Sequence, residues 1–231
     1  IPGANCVELD KLAEKIINDA QGIPFNKDYK PEWAPTPFPS SVCFSINNEV
    51  AHGLPTLDDG APKILKDGDI INFDVSVKKD NVCADAAITV GISDIGSRNE
   101  RLLYYAKKTL DEGIKQVKAG VKVGEISRAM ELCAIRNGFV LNKNLTGHGI
   151  GSQMHEDPKI LNYYDSNNSL NDYVLKEGQH ICLEPQLTYK DTQGKMAKNG
   201  WTIETIDNRN SAFYEKMLLV TKNGSEILTN W

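Results

Sequence analysis

Two aspartates in a strand-rich stretch are the first residues whose type and spacing could do chemistry. Apolar and polar side chains alternate along residues 69–85, which predicts a β-hairpin with Asp74 on the polar face of its first strand. A turn centred on Lys79-Asp80 sets Asp74 directly opposite Asp85, with Cβ atoms about 4.5–5.5 Å apart. Carboxylates this close repel each other unless one is protonated or a cation lies between them. The hairpin is therefore either half of a divalent-cation site or a solvated turn with two acidic residues facing water.

Acidic and imidazole side chains also occur in apolar or glycine-rich surroundings at His52, His148, His155, Glu184, Glu204 and Glu215. Two glycines flank His148, and small neighbours leave an imidazole ring open to an approaching ion. Glu184 ends an apolar run and Glu215 precedes another, and a buried carboxylate is strongly destabilising unless it is paired. Each residue alone also fits a structural role, as a core histidine or as one half of a salt bridge.

Taken together, two aspartates, one histidine and two glutamates supply more ligands than one divalent ion uses. These candidate metal ligands are Asp74, Asp85, His148, Glu184 and Glu215. They suit two hard-to-borderline ions bridged by carboxylates, and two ions about 3.5–4 Å apart activate water for attack on an amide carbonyl. The set predicts hydrolytic chemistry. His52 and His155 remain unassigned and are suited to hydrogen-bond the scissile amide and the oxyanion.

The elements that must position these residues follow from hydrophobic periodicity. Apolar residues recur with helical spacing over residues 9–20, 103–117 and 126–134, which predicts three amphipathic helices. Beside the hairpin, short β-rich runs predict strands at 42–46, 50–52, 181–188, 202–206 and 213–221. Strands and helices come in two successive rounds without regular β-α-β alternation. The expected class is therefore α+β, with an antiparallel sheet covered by helices on one side.

Length and composition narrow the class of protein further. The 231 residues, 40% of them hydrophobic, can bury one sizeable core, so we expect a single domain over residues 1–231. A net charge of −5 without a lysine or arginine block argues against nucleic acid or an anionic membrane as partner. Five scattered cysteines without a C-x-x-C pair favour reduced thiols in the cytoplasm, and no apolar run reaches membrane-span length. The glycine-rich run 146–151 lacks the spacing of a dinucleotide-binding loop.

The motifs around these residues closely resemble those of methionine aminopeptidases. They are Thr-Gly-His-Gly-Ile-Gly at 146–151, Leu-Glu-Pro at 183–185, and the stretches 41–55, 65–70, 155–158 and 199–202. The resemblance covers nearly the whole chain and implies the pita-bread fold, an α+β fold of two pseudo-symmetric halves with metals between them. The short separation of His148 and Glu184 leaves no room for a long helical insertion, so the type I form is the better match.

The resemblance also implies a role for each candidate ligand. Asp74 would chelate one of two divalent ions, and Asp85 and Glu215 would bridge both. His148 and Glu184 would complete the ligands of the other ion. Glu184 would in addition accept a proton from the attacking water. Cobalt, manganese, iron and zinc all accept such carboxylate and imidazole ligands, so the sequence leaves the metal open.

Five further residues would contact the substrate if the resemblance holds. His52 would lie near the scissile nitrogen and His155 near the carbonyl oxygen. Phe38, Cys43 and Trp201 would line the pocket for the methionine side chain. The implied activity is removal of the initiator methionine from peptides and nascent chains, with a preference for a small second residue. We expect a cytoplasmic monomer.

Two departures from the family pattern fall near the site. Asp85 lies between Ala84 and Ala86, where the family usually has Gly before the aspartate and Thr or Ser after it. A proline-rich loop at 31–39 replaces a more regular segment. Two alternatives remain on the same fold: an Xaa-Pro aminopeptidase or dipeptidase, and a binding module without metals. Retention of all five ligands and both histidines favours the methionine-specific enzyme.

Overall fold

The computed structural model describes residues 1–230, and its helices follow the predicted amphipathic stripes. They are α1 (Cys6–Asp19), α2 (Gly96–Ile114), α3 (Val123–Arg136) and a short 3-10 helix (Ser169–Asp172). The Asn5 side chain accepts hydrogen bonds from the main-chain N–H groups of Val7 and Glu8. Helix α1 therefore begins before its apolar stripe, because the N-cap sets the start. Within residues 1–230 no helix is both long and apolar enough to cross a membrane.

The first half of the chain builds a four-stranded sheet around the long hairpin. Its strands are β1 (Ile23–Pro24), β2 (Cys43–Ile46), β4 (Ile70–Lys79) and β5 (Val82–Gly91), and between them in sequence lies β3 (Glu49–Ala51). Strand β4 pairs with β1, β2 and β5, and every one of these pairings is antiparallel. The hairpin strands thus form the centre of this sheet.

The second half builds a five-stranded sheet in the order β14-β13-β9-β7-β8. Its strands are β7 (Thr146–Gly149), β8 (Glu156–Leu161), β9 (His180–Leu183), β13 (Lys216–Val220) and β14 (Ser225–Ile227). Short strands form two smaller sheets: β6 (Val140–Leu141) with β10 (Leu187–Thr188), and β11 (Lys195–Met196) with β12 (Ile203–Glu204) and β3. Among the described strands all pairings are antiparallel.

The helices cover the two main sheets separately. Helices α2 and α3 bury their apolar stripes against the second sheet, where Leu110 and Met130 join a cluster with Ile181 and Leu218. Helix α1 covers the first sheet through a smaller cluster that includes Cys6, Phe44 and Ile71. The predicted α+β class with helix-covered antiparallel sheet is confirmed, although the sheet is divided into two main sheets and two small ones.

The predicted register of the hairpin is wrong by one residue on each strand. The turn residues are Asp80 and Asn81, with φ of 50° and 64°, and Lys79 pairs with Val82. A two-residue turn with positive φ at both positions matches the right-handed twist of the strands, which favours it over a turn centred on Lys79-Asp80. Asp74 is therefore opposite Ala87, not opposite Asp85. The partner of Asp74 thus moves by two residues along β5, from Asp85 to Ala87. Because side chains alternate between faces with a period of two, both aspartates stay on the same face of the sheet.

The predicted strand at 181–188 is interrupted at the glutamate it was expected to carry. Strand β9 ends at Leu183, and the chain resumes pairing only at Leu187. Pro185 has no N–H to give to a sheet, which accounts for the break. Glu184 consequently lies just beyond the end of β9, where its main chain is not paired with a neighbouring strand.

The two main sheets meet where β5 passes the start of β13. The N–H of Glu215 donates to the carbonyl of Ala87 at 2.9 Å, and the two residues form an isolated β-bridge. The hydroxyl of Thr89 donates to the carbonyl of Phe213 at 2.6 Å, and the amide of Asn72 donates to the same oxygen at 3.0 Å. The polar face of the hairpin is thus buried against the second half of the chain.

Candidate metal centre

The ten residues that were given a metal-binding or substrate-binding role from the sequence all line one cavity of about 780 Å³ between the two halves. They are Phe38, Cys43, His52, Asp74, Asp85, His148, His155, Glu184, Trp201 and Glu215. Glu204, which shares their apolar sequence context, does not line this cavity and forms an ion pair with Lys195 instead. The roles of the ten residues stay predictions, but the fold brings them within reach of one another.

The five candidate ligands come from five different strand positions. Asp74 lies in β4 and Asp85 in β5, so the hairpin supplies two carboxylates from one side. His148 lies in β7. Glu184 directly follows β9 and Glu215 directly precedes β13, so the second sheet supplies the remaining three side chains.

The ligand atoms of these side chains cluster closely. One oxygen from each of Asp74, Asp85 and Glu215 lies within 4.8 Å of the others, and the same limit holds for His148, Cys182 and Glu215. The Nε2 atom of His148 is 3.5 Å from Oε1 of Glu184, 3.9 Å from Oε1 of Glu215 and 4.0 Å from Oδ2 of Asp85. These separations are too long for good hydrogen bonds.

A main-chain contact orients the imidazole of His148. Its Nδ1 atom lies 2.9 Å from the carbonyl oxygen of Gly149 and donates to it, which leaves the lone pair on Nε2 directed at the carboxylates. Burial, with a smaller effect of His155, lowers the pKa of His148 to about 4. The ring is therefore neutral at pH 7, the state in which histidine binds a metal.

The carboxylates of the cluster repel one another when they are ionised. Burial raises the pKa of Asp74 to about 7. Burial, and next the charge of Asp74, raise the pKa of Asp85 well above its usual value. The pKa values of Glu184 and Glu215 are also raised, mainly by burial and then by the neighbouring carboxylates. Such a cluster is stable in its ionised form only if positive charge lies among the oxygens.

The donor set fits divalent cations. Oδ1 of Asp85 is buried and has no hydrogen-bond partner within residues 1–230, which is unfavourable for a carboxylate oxygen unless it has a ligand. Metal–ligand bonds of about 2.0–2.2 Å place ligand atoms of one ion about 3–4 Å apart, as the imidazole and carboxylate atoms are here. Carboxylate and imidazole ligands suit manganese, iron, cobalt and zinc.

Neighbouring polar residues hold the candidate ligands, and sequence reasoning had not singled them out. The amide of Gln186 donates to Oε2 of Glu184 at 2.8 Å. Asn162 in turn donates to Oε1 of Gln186 at 2.8 Å. Ser76, opposite Asp85 in the hairpin, forms a hydrogen bond with that carboxylate. Their signal in the sequence is weak, because a buried Gln, Asn or Ser becomes informative only once its neighbours are known.

His52 and His155 lie on the aromatic side of the cavity. His52 follows β3 with a φ of 55°, a left-handed conformation that is rare for residues other than Gly, Asn and Asp. Burial, with a smaller effect of His155, lowers its pKa to about 4. The surrounding protein and the charge of Lys159 also lower the pKa of His155, although its ring remains accessible from the cavity. Both rings are thus neutral at pH 7 and can each donate one hydrogen bond.

An apolar pocket adjoins the two histidines. Phe38, Cys43 and Trp201 are buried in one cluster with Ala34 and Leu54. The rings of Phe38 and Trp201 meet edge to face with centroids 4.9 Å apart. Its aromatic and apolar lining suits an apolar side chain as ligand.

The proline-rich loop and the residues just before it contribute two cavity residues that the sequence did not identify as candidates, Trp33 and Tyr29. Trp33 stacks on His52 with ring centroids 6.0 Å apart and packs edge to face on Trp201 at 5.0 Å. The hydroxyl of Tyr29 lies 2.8 Å from Nδ1 of His155. Which histidine each ring meets depends on the tertiary fold, because the rings and the histidines are separated along the chain.

Comparison with known proteins agrees with this architecture. The methionine aminopeptidase of Salmonella typhimurium is 38% identical over 229 residues, which make up 99% of this chain and 82% of that protein. A crystal structure of methionine aminopeptidase from Rickettsia prowazekii superposes with a TM-score of 0.89 at 33% identity, covering 99% of this chain and 87% of that one. The predicted pita-bread fold is confirmed.

A more distant structure shares the fold alone. The X-Pro aminopeptidase from Thermotoga maritima superposes with a TM-score of 0.68 at 20% identity, and this chain spans only 55% of its length. The sequence model of metallopeptidase family M24 matches residues 1–222. With a match of that extent and relatives above 30% identity along its length, the chain belongs to metallopeptidase family M24.

Proposed function

We propose that this protein removes the N-terminal methionine from peptides and proteins by metal-dependent hydrolysis. One observation carries the proposal: five side chains of metal-binding type, two neutral histidines and an apolar aromatic pocket line the same cavity. The relatives that match 99% of the chain are methionine aminopeptidases. They support methionine as the residue that the aromatic pocket receives.

Asp74, Asp85, His148, Glu184 and Glu215 would hold two divalent ions. These ions would supply an activated water and polarise the amide carbonyl. Glu184 would accept the proton of the attacking water, and Gln186 holds one of its oxygens in place. The same carboxyl then returns the proton to the leaving nitrogen. We leave the metal open among cobalt, manganese, iron and zinc.

The two histidines act on the amide that is cleaved. His155 donates a hydrogen bond to the carbonyl oxygen, which gains negative charge in the transition state. His52 contacts the scissile nitrogen and helps to hold the second residue of the substrate. The aromatic rings of Trp33 and Trp201 pack against His52 and restrict its rotation.

Phe38, Cys43 and Trp201 bind the methionine side chain. The second residue of the substrate meets the confined space beside His52, which favours Gly, Ala or Ser at that position. We place the enzyme in the cytoplasm as a monomer acting on nascent chains, with residues 1–231 as one catalytic domain. Support comes from five free buried cysteines and from a site built by one chain.

Peptide hydrolysis tests this function. Protein loaded separately with manganese, cobalt or zinc should release methionine from Met-Ala-Ser but not from Met-Leu-Ser, and a chelator should abolish the release. Asp85→Asn should lose at least about 100-fold in kcat because it removes a ligand oxygen, whereas Asp58→Asn, at an exposed aspartate, should retain full activity. Absence of metal-dependent methionine release contradicts the proposal.

The same assay separates the alternatives. Cleavage of Ala-Pro peptides in preference to Met-Ala-Ser identifies an Xaa-Pro aminopeptidase. A folded protein that binds no divalent ion, as measured by metal analysis after dialysis, identifies a binding module. Both outcomes would leave the fold assignment unchanged.

A further inference from the structure

A hydrogen bond between distant parts of the chain joins Tyr29 to His155. The phenolic oxygen lies 2.8 Å from Nδ1 of the imidazole, and the ring centroids are 5.5 Å apart at 55°. Tyr29 belongs to the loop between β1 and β2 in the first half, and His155 precedes β8 in the second half. Both residues line the cavity, so the contact joins the two halves of the fold at its wall.

The main chain fixes the position of Tyr29. Its N–H donates to the carbonyl of Asn26 at 3.1 Å, and its carbonyl accepts from the N–H of Phe38 at 2.9 Å. The N–H of Asp28 also donates to the carbonyl of Phe38 at 2.9 Å. The proline-rich loop is thus closed at its base, and the tyrosine ring packs against the aromatic pocket. The hydroxyl is held in place before any substrate arrives.

The chemistry of the two groups sets the direction of this hydrogen bond. Burial raises the pKa of Tyr29 above its ordinary value, so the hydroxyl is protonated at neutral pH. A neutral imidazole carries one N–H and one lone pair. His155 is the only hydrogen-bond partner of the hydroxyl among residues 1–230, so the phenolic proton is satisfied when it is donated to Nδ1. The imidazole proton is then on Nε2, on the opposite edge of the ring.

We propose that Tyr29 is a positioning residue that holds His155 in its Nε2–H tautomer, so that this N–H can donate to the substrate carbonyl oxygen. In the opposite tautomer Nε2 would present a lone pair and repel the oxygen. The inference rests on the proposed function for the role of His155. The tautomer itself is a property of the free protein.

Kinetics of single and double variants test the positioning role. Tyr29→Phe should lower kcat for Met-Ala-Ser about 3- to 10-fold with KM within about twofold, because one hydrogen bond biases the tautomer by about 1 kcal/mol. His155→Ala should lower kcat about 100-fold or more. In the His155→Ala background Tyr29→Phe should have no further effect on kcat. Tyr104→Phe, at an exposed tyrosine of α2, is the matched control and should behave as wild type.

Nitrogen-15 NMR of the zinc-loaded protein tests the tautomer without substrate. The chain has four histidines, so the His155 signals can be assigned by their loss in His155→Ala. In the wild type His155 should show a protonated Nε2 and an acceptor Nδ1, and Tyr29→Phe should shift it toward a mixture. An unchanged tautomer in Tyr29→Phe, or a kcat loss that persists without His155, overturns the proposal. If the wild type shows the tautomer but releases no methionine, only the proposed function fails.

Discussion

At the scale of single residues, the candidate centre is defined by a conflict among buried carboxylates. Asp74, Asp85, Glu184 and Glu215 all have raised pKa values, with burial as the largest cause in each. His148 faces them as a neutral ring. A cluster of this kind does not by itself stabilise the fold. The free-energy penalty of removing the carboxylates from water exceeds the favourable interactions they form with neighbouring groups. Cation binding is therefore the best explanation for the clustering of these carboxylates around a neutral histidine.

The conflict predicts an unusual pH dependence of the metal-free protein. Above the ordinary carboxyl pKa of about 4 the unfolded chain has lost these protons, whereas the folded state holds them up to its raised pKa values. Because the folded state binds more protons in that interval, its stability falls as pH rises, and the contribution of Asp74 is lost once the pH passes its folded pKa of about 7. The histidines are neutral in both states above pH 7, since their folded pKa values are lowered.

Urea denaturation in a chelator at pH 7.0 and 8.5 measures this effect. The free energy of unfolding should drop by about 1.4 kcal/mol per pH unit for each proton held only in the folded state. Glu215→Gln should flatten the dependence by removing one of the interacting charges. Metal-saturated protein should show the opposite trend, because deprotonated ligands bind metal more tightly. Equal stability of the metal-free wild type at both pH values contradicts the explanation.

At the scale of secondary-structure elements, close strand packing brings the ligands together. The glycines beside His148 were expected to leave its ring open to an ion. The structure shows a stronger reason for glycine at these positions, which is the close approach of neighbouring main chain. A Cβ at Gly147 would lie 2.4 Å from the carbonyl oxygen of Cys182, and one at Gly149 would lie 2.2 Å from that of Asp157. The glycines therefore let β7 lie close to β8 and β9.

Gly147→Ala should consequently weaken both the fold and the metal centre. The added methyl meets main-chain atoms of β9 that cannot rotate away, so β7 and β9 must separate, and with them His148 and Glu184. We expect a loss of about 1–3 kcal/mol in the free energy of unfolding and weaker metal binding by titration calorimetry. Gly224→Ala is the matched control, because no heavy atom lies within 4 Å of its added methyl. Wild-type metal affinity in Gly147→Ala would show that the strand spacing does not position the ligands.

At the scale of the whole molecule, the candidate ligands come from both halves of the chain. The hairpin contributes Asp74 and Asp85, and the second sheet contributes His148, Glu184 and Glu215. The main-chain bridge between Ala87 and Glu215 and the hydrogen bond from Thr89 to Phe213 are two of the direct links between them. A cation bound by both sets would act as a further link between the halves.

Hydrogen exchange with and without zinc tests that coupling. Metal loading should slow amide exchange in β4 and β5 and also in β7, β9 and β13, because local opening of either half then requires release of the ion. Helix α1, which contributes no candidate ligand, serves as an internal control and should change less. Slower exchange in only one of the two halves would indicate that the ligands do not come from both. Asp85→Asn should lose most of the protection in both sheets.

The sequence by itself determined the fold class and the residue types of the site. Helical periodicity located the three helices, and alternation located the hairpin, because each pattern reflects local backbone geometry. The ten cavity residues could be identified from their chemistry and motif context. Such features are local in the chain, so they can be read without knowing which segments become neighbours.

The tertiary structure decided everything that depends on contact between distant segments. Pairing of β4 with β5 placed Asp74 opposite Ala87, where the sequence had predicted Asp85. The same register placed Ser76 opposite Asp85, and packing of the two halves placed Tyr29 beside His155. Hydrogen bonds and electrostatic repulsion act over a few ångströms of space, and the order of residues along a chain does not specify such distances until the chain has folded.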